Sequence, residues 1–462
     1  MAKTLLALIL LAHTAAFGAD LSSARTSFPD SVRDVVADSS SGRVRLVRAV
    51  VNPSEASVPI DFVISLRLRN YAGLQAILAG GGTVSRSDME ANFLPPASEY
   101  DALCAWLAAE GFQVTLPDSR HSRVYARGTA AQIAAALQVT FGRVATSDGE
   151  FTAALSAPSL PSALSADVIG IDGLQPYIRM HPQAVRFASG AAAAADITHP
   201  SRAIPADLMR AYNVPGNLTG AGQTIAVFAS TVPLASDLAA FDQDVGVTGN
   251  GPNFTVVAIN GGPTATGPSA GGFNEVSLDT EWSSGIAPGA NLVVYACPTG
   301  GIDDFMATCT AILNSGGVNI LTSSFSNPEA DIAPASLQAC SELLAQMAAE
   351  GISVFHGAGD SGAYGSPEYP TTDPYVTALG GTVLTFDSNW NEFSEQVWPN
   401  TGGGYSAFFP RPVWQQGNGV PGGSFRCVPD AAAPSSMVSP GGEIYSFIVL
   451  NGATNSASAA TA

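Results

Sequence analysis

Lysine occurs once in the 462 residues, as Lys3, and only 12% of the chain is charged, about half the share of an average domain. The basic footprint that nucleic acid or anionic lipid needs is missing, which excludes both as partners. Histidine is nearly as scarce. His13 falls in an N-terminal apolar segment and His121 and His181 in the first half, leaving only His199 and His356 beyond. A serine hydrolase with a histidine base therefore has few candidates, and His356 closes an apolar strand, as a structural residue would. The chain has no His-Glu-x-x-His pair, no two closely spaced cysteine pairs and no Gly-Lys-Ser/Thr phosphate loop. That points away from zinc and phosphate-loop chemistry.

What is present is acid, apolar and unevenly spread. Residues 1–196 hold 15 Arg and Lys against 17 Asp and Glu, whereas residues 197–462 hold 4 against 21. The second part repels itself at neutral pH and much less near pH ~4, where carboxylates begin to protonate. Lys3 precedes the apolar run Thr4 to Ala12, and Ala16-Phe17-Gly18 places small residues before a cut after Gly18. Residues 1–18 thus read as a secretory signal peptide, implying an extracellular protein. No later run reaches the ~18 apolar residues of a membrane span. Export permits disulfides. Cys297, Cys309, Cys340 and Cys427 suffice for two bridges in any of three pairings, with Cys104 left over as a buried thiol.

Periodicity divides the mature chain. Residues 58–180 interleave helices and short strands, from the alternating Phe62, Ile64, Leu66, Leu68 to the Thr129-capped helix ending at Leu137; this predicts a ferredoxin-like α+β unit. Residues 184–196 contain five successive alanines, Ala191 to Ala195, and read as an exposed linker open to nicking. From 197 onward, apolar strands near 224–228, 291–296, 318–324 and 351–356 alternate with helices near 302–313 and 335–349. That is a parallel sheet with helices on both faces, whose ligands bind beyond the carboxyl ends of the strands. Beyond Gly381 the glycine, proline and aromatic content predicts long loops.

Carboxylates remain as candidate bases. In Gly272-Phe273-Asn274-Glu275-Val276-Ser277-Leu278-Asp279-Thr280-Glu281-Trp282 a helix would put Glu275 and Asp279 on one face. Two close carboxylates split their pKa values, so one can act as a base beside the other. The same spacing also fits a solvated helix face. Asp360 lies in Gly357-Ala358-Gly359-Asp360-Ser361-Gly362, directly after a strand. Protonated, it could donate a hydrogen bond to an oxyanion; equally it could be a turn residue.

Together these blocks resemble the sedolisin family, the serine-carboxyl peptidases, most closely its kumamolisin type. The resemblance rests on Glu275-x-x-x-Asp279, Ser283 to Ala290, Gly359-Asp360-Ser361-Gly362, Tyr369-Pro370 through Thr382, Gly402 to Ser406 and Phe409 to Gln415, with residues 58–175 resembling an activation propeptide. It covers nearly the whole chain. It implies a subtilisin-like α/β fold preceded by a ferredoxin-like propeptide over 19–183, a linker over 184–196 and a peptidase domain over 197–462. It implies acid-pH endopeptidase activity on proteins or peptides through an acyl-enzyme, with the propeptide as intramolecular inhibitor, in a monomer. Glu275 would be the base, Asp279 its support and Asp360 the oxyanion donor. The nucleophile motif departs from the family. In Gly452-Ala453-Thr454-Asn455-Ser456-Ala457-Ser458-Ala459, Ser456 is the nucleophile if one residue is inserted; otherwise Asn455 replaces it. Ala229 and Phe325 stand where kumamolisin-type members carry glutamate and tryptophan. The helix after the serine and the family's calcium site would lie beyond Ala462, so no cofactor or metal ligand is assigned here and the peptidase domain is expected to be incomplete. The alternatives are an inactive pseudo-peptidase or fragment, and an aspartic-type hydrolase using Glu275 and Asp279 alone.

Overall fold

The computed structural model describes residues 24–35, 44–183, 185–186, 202–247, 254–389, 391–439, 442–444 and 446–458. The signal peptide expected at 1–18 and most of the linker expected at 184–196 lie outside the described residues. The alternating run after Val58 forms strand β1 (Pro59–Leu66). Helices α1 (Tyr71–Ala79) and α2 (Ala97–Ala109) lead to β2 (Gln113–Leu116) and β3 (Arg123–Thr129). The Thr129 side chain accepts the Gln132 N–H in a capping box that starts α3 (Ala130–Leu137). After a small side sheet the chain returns as β4 (Val168–Asp172). The sheet order is β2-β3-β1-β4, every neighbour antiparallel. This is the ferredoxin-like arrangement predicted for the segment.

Two short strands, β5 (His181–Pro182) and β6 (Val185–Arg186), precede the second unit. Its strands are β7 (Thr224–Ala229), β8 (Phe254–Ala258), β9 (Asn291–Ala296), β10 (Ile320–Ser323), β11 (Phe325–Pro328), β12 (Ser353–Gly357), β13 (Thr377–Phe386) and β14 (Ala431–Ser439). Its helices include α4 (Ala235–Asp244), α5 (Phe273–Ile286), α6 (Ile302–Ser315) and α7 (Pro334–Ala349). Seven strands run parallel in the order β8-β9-β7-β10-β12-β13-β14. The first strand in the chain sits inside the sheet and its successor at one edge, a subtilisin-like topology. A separate hairpin, β15 (Ser446–Leu450) and β16 (Ala453–Ser458), turns at Asn451-Gly452. Both turn residues have positive φ, 53° and 71°, the geometry that favours Asn-Gly in two-residue hairpins.

Two expectations are corrected. The region after Gly381 is largely strand, not loop: β13 runs straight through Gly380-Gly381. A Cβ on Gly381 would lie 2.4 Å from Ser435 Oγ and 2.8 Å from the Trp398 ring, so the glycine there admits neighbouring chains instead of breaking the strand. The four cysteines of the second unit form no bridges; all five cysteines are free. Cys297, Cys309 and Cys340 are wholly buried, and burial pushes their thiols up. They are packing residues.

The first unit sits on α7. Val63, Tyr125 and Ile169 share one apolar cluster with Leu321, Cys340, Leu344 and Met347. Buried polar groups stitch the same contact. The Arg123 guanidinium donates to Ala339 O and Leu66 O, Ser336 Oγ donates to Asp172, and Leu68 N–H donates to Glu342. Arg120 makes two bonds to the Glu350 carboxylate at 2.5 and 2.6 Å, the bidentate geometry that makes such pairs strong.

Candidate active site

Helix α5 has no polar face turned to water. Residues 275–281 are buried without a break, with Glu275 1% and Asp279 2% exposed. A solvated face is thereby excluded for this pair. One turn apart in a dry environment, two carboxylates cannot both ionise cheaply. Asp279 Oδ1 accepts a 2.9 Å hydrogen bond from Ser324 Oγ. Burial pushes the Asp279 carboxyl up to about 7, against the downward pull of that bond. Ser324 immediately follows β10, so the bond ties α5 to the carboxyl end of the sheet. The sequence reading took Ser324 only as the end of a strand. Its partner lies 45 residues away, a separation no local pattern reveals.

Asp360 follows β12, the sheet neighbour of β10, and is 6% exposed. The turn that carries it is overlaid by the Gly402-Gly403-Gly404 segment. Gly402 N–H donates to Gly359 O at 2.7 Å, and a Cβ on Gly402 would fall 1.8 Å from Ala358 O. Only glycine permits that approach. His356 is fully buried, with Nδ1 2.8 Å from Gly357 O and Nε2 2.8 Å from Phe325 O. Burial lowers its pKa. It braces the chain on either side of the site and is placed as a structural residue.

Asp279, through Ser324, and Asp360 thus stand beyond the carboxyl ends of neighbouring parallel strands, with Glu275 one turn from Asp279 on α5. Ser456 arrives from a different sheet. It lies within β16, in register with Phe447 of β15, and Asn455 pairs with Ile448. The next residues of β16 pair with the linker strand, Ala457 with Arg186 and Ser458 with Val185. The strand before it, β5, pairs antiparallel with β11, His181 opposite Ser326 and Pro182 opposite Phe325. Beside it opens a cleft of about 710 Å³ whose lining includes Gln183, Asn327, Gly359, Ser361 and Glu368. The segment just after the ferredoxin-like unit thus lies as an added strand where an extended peptide would. Among the described residues, no group of three or more His, Cys, Asp or Glu side chains is placed to hold a metal ion.

Comparison with known proteins follows the same division. The Pro-kumamolisin activation domain family matches residues 49–177. Kumamolisin of Bacillus sp. (strain MN-32) is 32% identical over 314 residues, 62% of this chain and 56% of the relative. Xanthomonalisin of Xanthomonas sp. (strain T-22) is 26% identical over 490 residues, covering 89% and 57%. Sedolisin of Pseudomonas sp. (strain 101) is 26% identical over 432 residues, covering 83% and 71%. The chain spans little more than half the length of the first two relatives.

Proposed function

Because the chain belongs to the sedolisin family, we propose that it is a secreted proenzyme cleaving peptide bonds at acid pH by a Ser456-Glu275-Asp279 mechanism. The observation that carries this reading is the dry Glu275–Asp279 pair, locked by Ser324 and facing the strand ends that also carry Asp360. A carboxylate base suits acid pH, where a histidine would already hold its proton. In the reaction, Ser456 Oγ attacks the scissile carbonyl carbon as Glu275 takes the hydroxyl proton. Asp360, protonated, donates to the oxyanion. Collapse breaks the C–N bond, and Glu275 returns the proton to the leaving amine. Water then attacks the acyl-enzyme by the same route and frees Ser456. Asp279 shares a proton with Glu275 and orients it. No step requires a metal.

The strand β5 on β11 supports inhibition by the chain's own propeptide until the linker over 184–196 is cut. Among the described residues no helix is long and apolar enough to cross a membrane. A second reading, an inactive pseudo-peptidase, draws on the strand conformation at Ser456, which pairs with Phe447 inside the hairpin while the next two residues pair with the linker. Peptide hydrolysis by the full chain after incubation at pH ~4 decides between them. The triad predicts that Ser456→Ala and Glu275→Gln each lower kcat by roughly 10³ or more, the scale of losing a triad member. Wild-type activity that survives Ser456→Ala would overturn the serine assignment. No wild-type activity would support the pseudo-peptidase.

A further inference from the structure

We propose that Glu281, acting with Asp237, is a positioning residue that clamps hairpin β15–β16 to α5 and so fixes where Ser456 stands. The inference rests on the reading of Ser456 as nucleophile. Glu281 is two residues past Asp279, a rotation of ~200° about the helix axis, so it leaves α5 on the side away from Ser324. There Glu281 Oε2 accepts the Val449 N–H at 2.9 Å. The next residue, Trp282, donates its indole N–H to Phe447 O at 3.0 Å. Asp237, in the first turn of α4, accepts Asn451 N–H at 2.5 Å and Gly452 N–H at 2.9 Å, one on each carboxylate oxygen.

These bonds use the free edge of β15. Its other edge is taken by β16 along the whole hairpin, from Ser446 opposite Ala457 to Leu450 opposite Ala453. An edge strand leaves a row of unpaired backbone groups. Here Ala203 O accepts the Phe447 N–H at 2.8 Å, and side chains of α4 and α5 satisfy Phe447 O and the N–H groups of residues 449, 451 and 452. Apolar packing fixes the same register. Phe447 and Val449 pack with Ile204 and Phe241, the two phenyl rings stacked at 5.7 Å; Ile448 and Leu450 pack with Phe273 and Leu278. A slip of one residue would turn every side chain of β15 to the wrong face, and Ser456 would move with it. One helix thus holds both parties: its Glu275–Asp279 side carries the base, while Glu281 on the other side and Trp282, one turn past Asp279, hold the strand behind the nucleophile. The second Glu281 oxygen, Oε1, has no hydrogen-bond partner in the described structure. Burial and the nearby Asp237 and Asp242 push this carboxyl up, so an acceptor is needed there but not a negative charge.

The test compares Glu281→Gln with Glu281→Leu in the full chain, reading kcat and KM for a peptide at pH ~4 and amide hydrogen exchange at Val449, Asn451 and Gly452. Glutamine keeps the acceptor and should stay within about threefold of wild type in every readout. Leucine should lower kcat about 10- to 100-fold with KM nearly unchanged, the signature of a misplaced reacting group, and Val449 should exchange faster. Equal kcat in Glu281→Leu and wild type would overturn the proposal, as would equal losses in both variants. If wild type and Ser456→Ala are both inactive, the nucleophile reading fails, and exchange alone decides the clamp: a deprotected hairpin in Glu281→Leu supports it and an unchanged one overturns it.

Discussion

At the residue scale, the Ser324–Asp279 hydrogen bond sets how strongly the carboxyl pair holds its proton. The bond favours the ionised form of Asp279, so Ser324→Ala should raise the Asp279 pKa further. The descending limb of the pH–rate profile should then move to higher pH. The maximum should fall about 10-fold, since a hydrogen bond to a charged or charge-sharing group is worth roughly 1.5–3 kcal/mol. A profile that falls without shifting would mean that Ser324 merely packs. Motif order singles out Glu275, Asp279 and Asp360 as candidates. It says nothing of their burial, since nothing in the spacing distinguishes a dry helix face from a wet one. Ser324 and Glu281 were missed for the same reason: each acts on a partner far along the chain. Ser456 and Asn455 sit on adjacent, oppositely facing positions of one strand, so a single inserted residue decides which side chain takes the role.

At the element scale, α7 is read correctly as a helix, yet its polar residues mislead. Ser336, Glu342 and Gln346 would suggest a solvent face, but all three are buried, because the ferredoxin-like unit covers that side. Arg123 is the deepest link. Its guanidinium, wholly buried, reaches Ala339 O on α7 from β3. Arg123→Met keeps the apolar length and deletes the donors, leaving carbonyls of both units unpaired. The contact should weaken by about 2–4 kcal/mol. Limited proteolysis at neutral pH would then release the first unit faster than from the wild-type chain. An unchanged release rate would show that the apolar cluster alone holds the units together.

At the scale of the whole molecule, buried carboxyls and net charge act in the same direction. Burial raises Asp172 to about 6, Asp279 to about 7 and Asp373 to about 7, and the chain carries a formal charge of −19. A carboxyl whose folded pKa lies above its unfolded value binds its proton more tightly when folded. Its contribution is complete below pH ~4 and declines as the pH climbs to the folded value. The melting temperature should therefore be higher at pH 4 than at pH 7.5, opposite to the usual acid sensitivity. Asp172→Asn should flatten the curve between pH ~4 and ~6, by roughly 3 kcal/mol for a shift of about two units. A wild-type melting temperature that rises from pH 4 to 7.5 would refute this account. The sequence showed the acidity and the alternation of strands and helices. It did not show the strand order, because that order depends on long crossovers and on pairings between distant residues, such as Ile225 with Ile320 and Val63 with Asp172.

The docking of the first unit on α7 also has a consequence in time. The two surfaces are far apart along the message: Asp172 is made long before Ser336 and the rest of α7, which ends at Ala349. At the usual pace of ~5–20 residues per second, translation of the intervening stretch takes roughly 10–35 s. During that interval the sides of Val63, Tyr125 and Arg123 that meet the second unit lack their partners. The nascent chain must carry this unfinished face through synthesis. When α7 appears, its landing place is already built.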